Sequence, residues 1–446
     1  MLSIGRIRYA LNGDTTLHTL TLSSLAPIQN LPGPAPRRAE RHTLLFLLHL
    51  SFVKHLLSPV DGATFPANER ISTHRGRPLL VVYDLPAVSE ALERVDFTER
   101  RSTMWRYREL LPMPNGADVA DDSAIVTLGE GMTPLLPANR LGDRLGLDNV
   151  FIKDESQLPT GSFKSRGMSA AITMARSFGI SRVALPTAGN AGGALAAYAA
   201  RAGIEAFVFM PADSPQVNIF ETKLAGAHVT LVDGLIGDCG RMVREGADKE
   251  GWFDFSTLRE PYRLEGKKTM GFEIAEQFGW SLPDVVVVPT GGGTAVIGIW
   301  KAFVELVQLG LVDEDHLPRM VAVQSDGCCP LVRAFEADAS TAEPFENPAT
   351  IARGLRVPST IGDFLVLNAL RQSHGTAVSV DEKRITGWMM EAASAEGVSM
   401  GPEGATCLGA IEHLRASKWI KRTDIVVMIN TAAAQKTPTI IDEQEA

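Results

Sequence analysis

Lys164 sits in the stretch 159–167, Pro-Thr-Gly-Ser-Phe-Lys-Ser-Arg-Gly, where Pro159 and Gly161 punctuate a turn and an apolar run, 168–175, follows. The spacing predicts a helix whose first turn carries the lysine, with Ser162 as its cap. A lysine placed there feels the positive end of the helix dipole and loses part of its hydration, and both effects lower its pKa towards a free amine. A free amine can attack a carbonyl and form a Schiff base. Taken alone, such a turn is more often an ordinary surface feature, and the argument for chemistry rests on two further loops. Residues 183–185 read as a short strand running into 186–193, Pro-Thr-Ala-Gly-Asn-Ala-Gly-Gly, and then an alanine-rich helix. A strand, a small-residue turn and a helix start leave backbone N–H groups free to receive an anion. Four consecutive valines, 285–288, have the pattern of a strand buried on both faces, and they end in Pro-Thr-Gly-Gly-Gly-Thr, 289–294. Three glycines let backbone amides converge on a phosphate.

These loops need a scaffold, and the sequence alternates accordingly. Residues 182–186, 206–210 and 229–232 read as strands, while 191–202, 216–225 and 240–249 read as helices. Further strands are expected at 150–155, feeding the lysine loop, and at 285–288, 321–324 and 425–429. Strands alternating with helices of this length imply an α/β fold with parallel sheets. Residues 95–112 read as a helix plus connector, and 336–348, rich in Ala, Glu and Pro, as a surface loop.

Composition bounds the function. At 446 residues, 45% hydrophobic and 21% charged, the chain is long enough for two domains. A net charge of -9 with no basic stripe argues against nucleic acid as a partner. The four cysteines, Cys239, Cys328, Cys329 and Cys407, include no CxxC pair, so neither a disulfide framework nor a metal ribbon is encoded, and reduced thiols in a cytoplasmic setting are expected. The apolar run 44–57 follows Arg37, Arg38 and Arg41, but His49 and Lys54 interrupt it and it falls short of the ~18 residues a membrane span needs. No membrane partner is therefore expected, and residues 1–57 read as a poorly ordered extension, with a short amphipathic helix packed on the body as the alternative.

A lysine loop, an Asn-bearing glycine loop and a later glycine cradle, in that order, resemble the fold type II pyridoxal-phosphate enzymes, the tryptophan synthase β group. The resemblance implies two doubly wound αβα domains with pyridoxal 5'-phosphate in the cleft between them. The large domain would begin in 58–176 and resume in 283–446, with a small mobile domain at 177–282. Within that group the chain is similar to threonine synthase. Residues 104–112, MWRYRELLP, and 128–135, LGEGMTPL, resemble the family's opening signature; 263–269, RLEGKKT, and 401–406, GPEGAT, resemble later blocks. The likeness covers about residue 61 to the C-terminus. Many members carry a zinc ribbon with two CxxCG knuckles. Here 58–62, SPVDG, and 72–76, STHRG, keep that spacing with every cysteine replaced, so no metal is expected and the piece would survive as a small apolar-packed arm.

Carried over residue by residue, the resemblance makes Lys164 the cofactor lysine and proton carrier, places Phe163 against the cofactor ring, and gives Asn190 its 3'-oxygen. Gly291, Gly292, Gly293 and Thr294 would hold the cofactor phosphate. Thr187, Ala188, Gly189 and Ala191, with Ser162, would receive the substrate carboxylate. A second phosphate, on the substrate, would be gripped by Arg263, with Lys268 nearby and Ser256 or Thr257 as hydroxyl donors. Two departures stand out. Ser165 occupies a position that is often Asp in threonine synthases, and serine there is closer to the dehydratase-like relatives. Ala433, in 430–436, lacks the hydroxyl that meets the pyridine nitrogen in the family, leaving Thr431 or water to substitute. The implied reaction is O-phospho-L-homoserine plus water to L-threonine plus phosphate. Threonine or serine dehydratase, cysteate synthase, and a cofactor-binding regulatory protein that has lost catalysis are the alternatives. No regulatory domain is expected after Lys436, and a homodimer is the expected assembly.

Overall fold

A computed structural model describes residues 51–93, 95–114 and 122–438; residues 1–50, on which most of the expected extension falls, lie outside the described residues. The valine run behaves as its composition requires: β12 (Val285–Pro289) is buried along its whole length. It is flanked by β13 (Arg319–Ser325) and β15 (Ile425–Asn430). Beyond them lie β14 (Thr376–Val380) on one side and β7 (Asn149–Asp154), then β6 (Leu135–Pro137), on the other. This six-stranded sheet is parallel except for β6 against β7. A second sheet of four parallel strands runs β10 (His228–Val232), β9 (Glu205–Pro211), β8 (Arg182–Pro186), β11 (Phe253–Asp254). The helices that matter for the site are α1 (Lys164–Ser177), α2 (Ala191–Ala202), α3 (Gln216–Leu224), α4 (Ile236–Glu250), α5 (Tyr262–Gln277), α6 (Thr294–Gln308) and α7 (Pro402–Ala416). No helix among the described residues is long and apolar enough to cross a membrane.

Parallel strands place their C-terminal ends on one side, which is where ligands collect in α/β sheets. The lysine loop follows β7, the 186–193 loop follows β8, the glycine run follows β12, and residues 431–433 follow β15. Helix α5 is wedged between α1 and α6, although the sequence groups it with the smaller unit at 177–282. The approach is close enough that a Cβ on Gly266 would stand 2.1 Å from the Arg166 carbonyl oxygen. Because α5 is buried from Tyr262 to Ala275, its charges must be paired. Arg166 donates to Glu155 at 2.6 Å and to Glu273 at 2.5 Å, and Lys153 donates to Glu273 at 2.7 Å, tying β7, α1 and α5 beneath the lysine loop.

Two expectations change, one at residues 53–57 and one at residues 95–112. Residues 53–57 of the supposed extension form β1 (Val53–Leu57), which pairs with β2 (Thr64–Phe65) and with β5 (Leu80–Tyr83), burying Leu56 and Val81. The former knuckle segments become the β1–β2 turn and the β3 (Thr73–His74) to β4 (Arg77–Pro78) hairpin, joined by a 2.9 Å contact between Asp61 and His74. Residues 95–112 form two short 3-10 turns, Phe97–Glu99 and Met104–Leu110, in place of a long helix. Met104, Trp105, Arg106, Tyr107, Glu109 and Leu110 are all buried, which one amphipathic helical face cannot achieve.

Candidate active site

Helix α1 begins at Lys164 itself, so the lysine side chain leaves from the first helical residue. Phe163, not Ser162, occupies the cap position, and no side chain caps the helix; the buried Ser162 Oγ has no partner. The loop is held instead by its backbone. Phe163 N–H donates to the Thr431 carbonyl at 2.9 Å, Ala433 N–H donates to the Gly161 carbonyl at 3.1 Å, and Ser162 bridges Ala432. Lys164 faces a cavity of about 330 Å³, and its Nζ lies 4.0 Å from the centroid of the Phe163 ring. Burial, and secondarily the Arg263 charge, lower its pKa to about 7 against the opposing pull of Glu403. Near neutral pH much of the amine is therefore free to act as a nucleophile or base.

The glycine run ends where α6 starts, with Gly293 at φ +86 as its cap residue. A Cβ on Gly293 would meet Val366 at 2.2 Å, and one on Gly291 would meet the Gly354 carbonyl at 2.3 Å. Only glycine lets this backbone pass so close to its neighbours where residues 291–294 line the cavity at a helix N-terminus. Across the cavity, Asn190 precedes α2 without capping it, and its Oδ1 is buried and unpartnered; the same is true of Asn218 on α3. A buried polar atom without a partner, on a cavity wall, is a place where a ligand's polar group is missing.

Besides Lys164, five arginines line the cavity: Arg244, Arg259, Arg263, Arg353 and Arg356. Arg263 is 4% exposed; its Nη1 donates to the Phe255 carbonyl at 2.6 Å and its Nε stands 3.9 Å from Glu260. Glu260 accepts from the N–H groups of Tyr262 and Arg263 at the start of α5. Burial pushes the Glu260 carboxyl up to about 8 despite those bonds and the Arg263 charge. Arg353 and Arg356 reach Asp213, beyond β9, at 3.0 and 3.4 Å. Glu403, at the start of α7, is the acidic residue on the wall, and it accepts from Gly354 N–H at 2.7 Å.

Residues 126–432 match the family described as pyridoxal-phosphate dependent enzyme. The threonine synthase of Methanosarcina acetivorans is 35% identical over 392 residues, 87% of this chain and 94% of the relative. That of Methanocaldococcus jannaschii is 34% identical over 379 residues, 84% and 91% of the two chains. The chain belongs to the threonine synthase family. Among solved structures, maize serine racemase superposes with a TM-score of 0.61 at 22% identity, covering 70% of this chain and 92% of that one. The threonine deaminase isoform 2 of Solanum lycopersicum does so at 0.58 and 23%, covering 70% and 82%. At that identity they show the shared fold, the fold type II arrangement.

The family's cofactor is pyridoxal phosphate, and the residues present fit it: a partly neutral lysine, a cradle that side chains would fill, and unpartnered amide groups across from it. Of the residues singled out from sequence, the structure brings to this cavity Lys164, Phe163, Asn190, Gly291, Gly292, Gly293, Thr294, Thr431, Thr187, Ala188, Gly189, Ala191, Thr257 and Arg263. Three stand elsewhere. Ser162 is enclosed behind the loop, Ser256 is spent on Asp254, and Lys268 is fully buried in ion pairs with Glu265 at 2.6 Å and Glu305 at 2.8 Å. Ser165 does not face the cavity either: its Oγ bonds the Thr160 hydroxyl at 2.7 Å, so its departure from Asp bears on the loop. Sequence reasoning missed Arg244, Arg353, Arg356, Asn218 and Glu403 as site residues. Glu403 lay within the 401–406 block, and Arg259 four residues before Arg263; Arg353 and Arg356 gave no local signal, since only the fold brings residues after β13 beside the β12 loop.

Proposed function

We propose that the protein converts O-phospho-L-homoserine and water to L-threonine and phosphate. The observation that carries this reading is charge: beyond the backbone cradle at α6, five arginines line a cavity of modest size. Arg353 and Arg356 share Asp213, Arg259 stands 3.7 Å from Asp254, and Arg263 stands 3.9 Å from Glu260, whose carboxyl burial pushes up to about 8. Such a guanidinium-rich wall still suits a second phosphate in addition to the cofactor's own. Relatives 35% and 34% identical over most of the chain are named threonine synthase. A dehydratase acting on threonine or serine has no second phosphate to bind.

Pyridoxal phosphate, when bound, supplies an electron sink conjugated to the amino-bearing carbon of the substrate. The chain's residues supply the rest. Backbone N–H groups of 291–294 hold the cofactor phosphate at the positive end of α6. The 187–191 loop at the start of α2 receives the substrate carboxylate in the same way. The Arg263 guanidinium, with the Thr257 hydroxyl, holds the substrate phosphate and favours its departure as an anion. Lys164, largely neutral above about pH 7, takes a proton from the substrate's Cα and carries protons between neighbouring carbons. Thr431 is the hydroxyl nearest in sequence to the alanine at 433, and we assign it the pyridine nitrogen. The four-stranded unit moves relative to the larger sheet as substrate enters, with Asp213 meeting Arg353 and Arg356 between the two sheets.

The test is direct. Purified protein carrying its visible cofactor band should release phosphate from O-phospho-L-homoserine and form threonine in equal amounts. Ammonia and 2-oxobutyrate from threonine, with no phosphate release, would replace this reading with the dehydratase one.

A further inference from the structure

Helix α5 turns a second cation to the side of Arg263 one turn later. Lys267 is 1% exposed, and its stem lies against α1. Its Nζ donates to the Phe163 carbonyl and stands 3.9 Å from the centroid of the Phe163 ring, the same ring that Lys164 Nζ approaches to 4.0 Å. Other buried lysines nearby are neutralised, Lys153 by Glu273 and Lys268 by Glu265 and Glu305, whereas Lys267 has no ion pair among the described residues. A buried amine without a countercharge costs stability, and burial together with Lys164 and Arg263 holds this one well below its ordinary pKa. It is not among the residues that line the cavity.

What Lys267 grips is informative. The Phe163 carbonyl belongs to the peptide unit whose nitrogen is that of Lys164. The preceding peptide is anchored on the opposite side, where Phe163 N–H donates to the Thr431 carbonyl. The residue that turns the chain into α1 is thus held at its N–H by the strand end of β15 and at its C=O by α5. Helix α1 has no side-chain cap to do that work.

We propose that Lys267 is a positioning residue for the cofactor lysine. It fixes the tilt of the 163–164 peptide, and with it the direction in which Lys164 and the Phe163 ring enter the cavity. The inference rests on the reading that this cavity binds pyridoxal phosphate. Loss of one hydrogen bond to a buried carbonyl corresponds to about a tenfold change.

The experiment compares the parent holoenzyme with Lys267→Met, which keeps the stem and loses the donor, and Lys267→Gln, which keeps an N–H donor. Two quantities are read: the rate of cofactor release into a scavenging apoprotein, and the visible circular dichroism per bound cofactor, which reports the ring's setting. The Met variant should release cofactor about tenfold faster with altered dichroism, and Gln should recover part of both. Release within twofold of the parent and unchanged dichroism, even with a lowered Tm, would show that Lys267 only packs and would overturn the proposal. Should the Met variant fail to fold, Lys267→Leu, which also loses the donor, decides on the same two readings. A parent with no visible band overturns the cofactor reading and the proposal together, whereas unchanged release in a coloured parent overturns the proposal alone.

Discussion

Replacing Arg263 by alanine tests whether the second phosphate exists. In the structure one of the guanidinium nitrogens is committed to the Phe255 carbonyl, and Nε faces Glu260 at 3.9 Å, leaving the rest of the fork for a ligand. Charge-assisted hydrogen bonds contribute about 1.5 to 3 kcal/mol each, so losing a two-point grip on a phosphate should cost about 3 to 4 kcal/mol, or two to three powers of ten in kcat/KM. The truncation also strips Glu260 of its nearest countercharge. That carboxyl is already pushed up to about 8, so it can respond by holding its proton instead of unfolding the helix start, and the loss of stability should stay near 1 to 3 kcal/mol. The cofactor band should survive, because its phosphate contacts come from the backbone of 291–294. Three assays separate these effects: phosphate release from O-phospho-L-homoserine, slow deamination of threonine, and thermal unfolding followed at the visible band. Arg263→Lys, a point charge without the fork, should recover only part of the activity. If both substrates lose activity equally while the band persists, Arg263 is structural and the argument from a second phosphate fails.

Lys164→Ala should lose the visible band and the borohydride-stable link to cofactor together, since Lys267, the other lysine at the Phe163 ring, does not line the cavity; a reducible adduct in that variant would refute the assignment. The rate at which apoprotein takes up pyridoxal phosphate should rise with pH through about 7, because the neutral amine is the nucleophile and its fraction falls about tenfold per pH unit below that point; a flat stopped-flow profile from pH 5.5 to 8.5, values spanning about three units around that midpoint, would contradict it. Glu260 takes up a proton on folding, since its folded pKa near 8 lies above its unfolded value, so its contribution is present at acid pH and lost as pH rises through about 8. Glu260→Gln should therefore flatten the fall in Tm between mildly acidic and alkaline pH by the equivalent of about 1 to 3 kcal/mol, and parallel Tm curves for variant and parent would remove that reasoning. Elemental analysis should find no stoichiometric zinc, because Asp61 and His74 offer two ligands where a structural site takes four.

How much of this was legible depended on whether the signal was local. The valine strand, the loops after β8 and β12, and the helix start at Lys164 are written in contiguous residues, and their positions could be read directly. The expected extension failed at residues 53–57 because an interrupted apolar run says nothing about a strand partner that arrives only at 80–83. Helix α5 is the more instructive case. Its sequence, rich in charge from Arg263 to Lys268, looks like a solvated face, yet it is buried from Tyr262 to Ala275, because the pair it makes within itself, Lys268 with Glu265, is completed by charges on other elements: Glu305 on α6 for Lys268, and Arg166 of α1 and Lys153 of β7 for Glu273. No single-chain pattern announces such pairings. One part of the misassignment, however, was avoidable. Residues four apart on a helix share a face, whereas residues five apart are turned by more than a quarter circle. With Arg263 directed at the cavity, the neighbour on its face is Lys267; Lys268 is rotated away, towards the Tyr83 ring and Glu305. Helical geometry alone thus transfers attention from Lys268 to Lys267. It also explains why two adjacent lysines in one block have such different surroundings, one ion-paired in the core and the other gripping the peptide that carries Lys164.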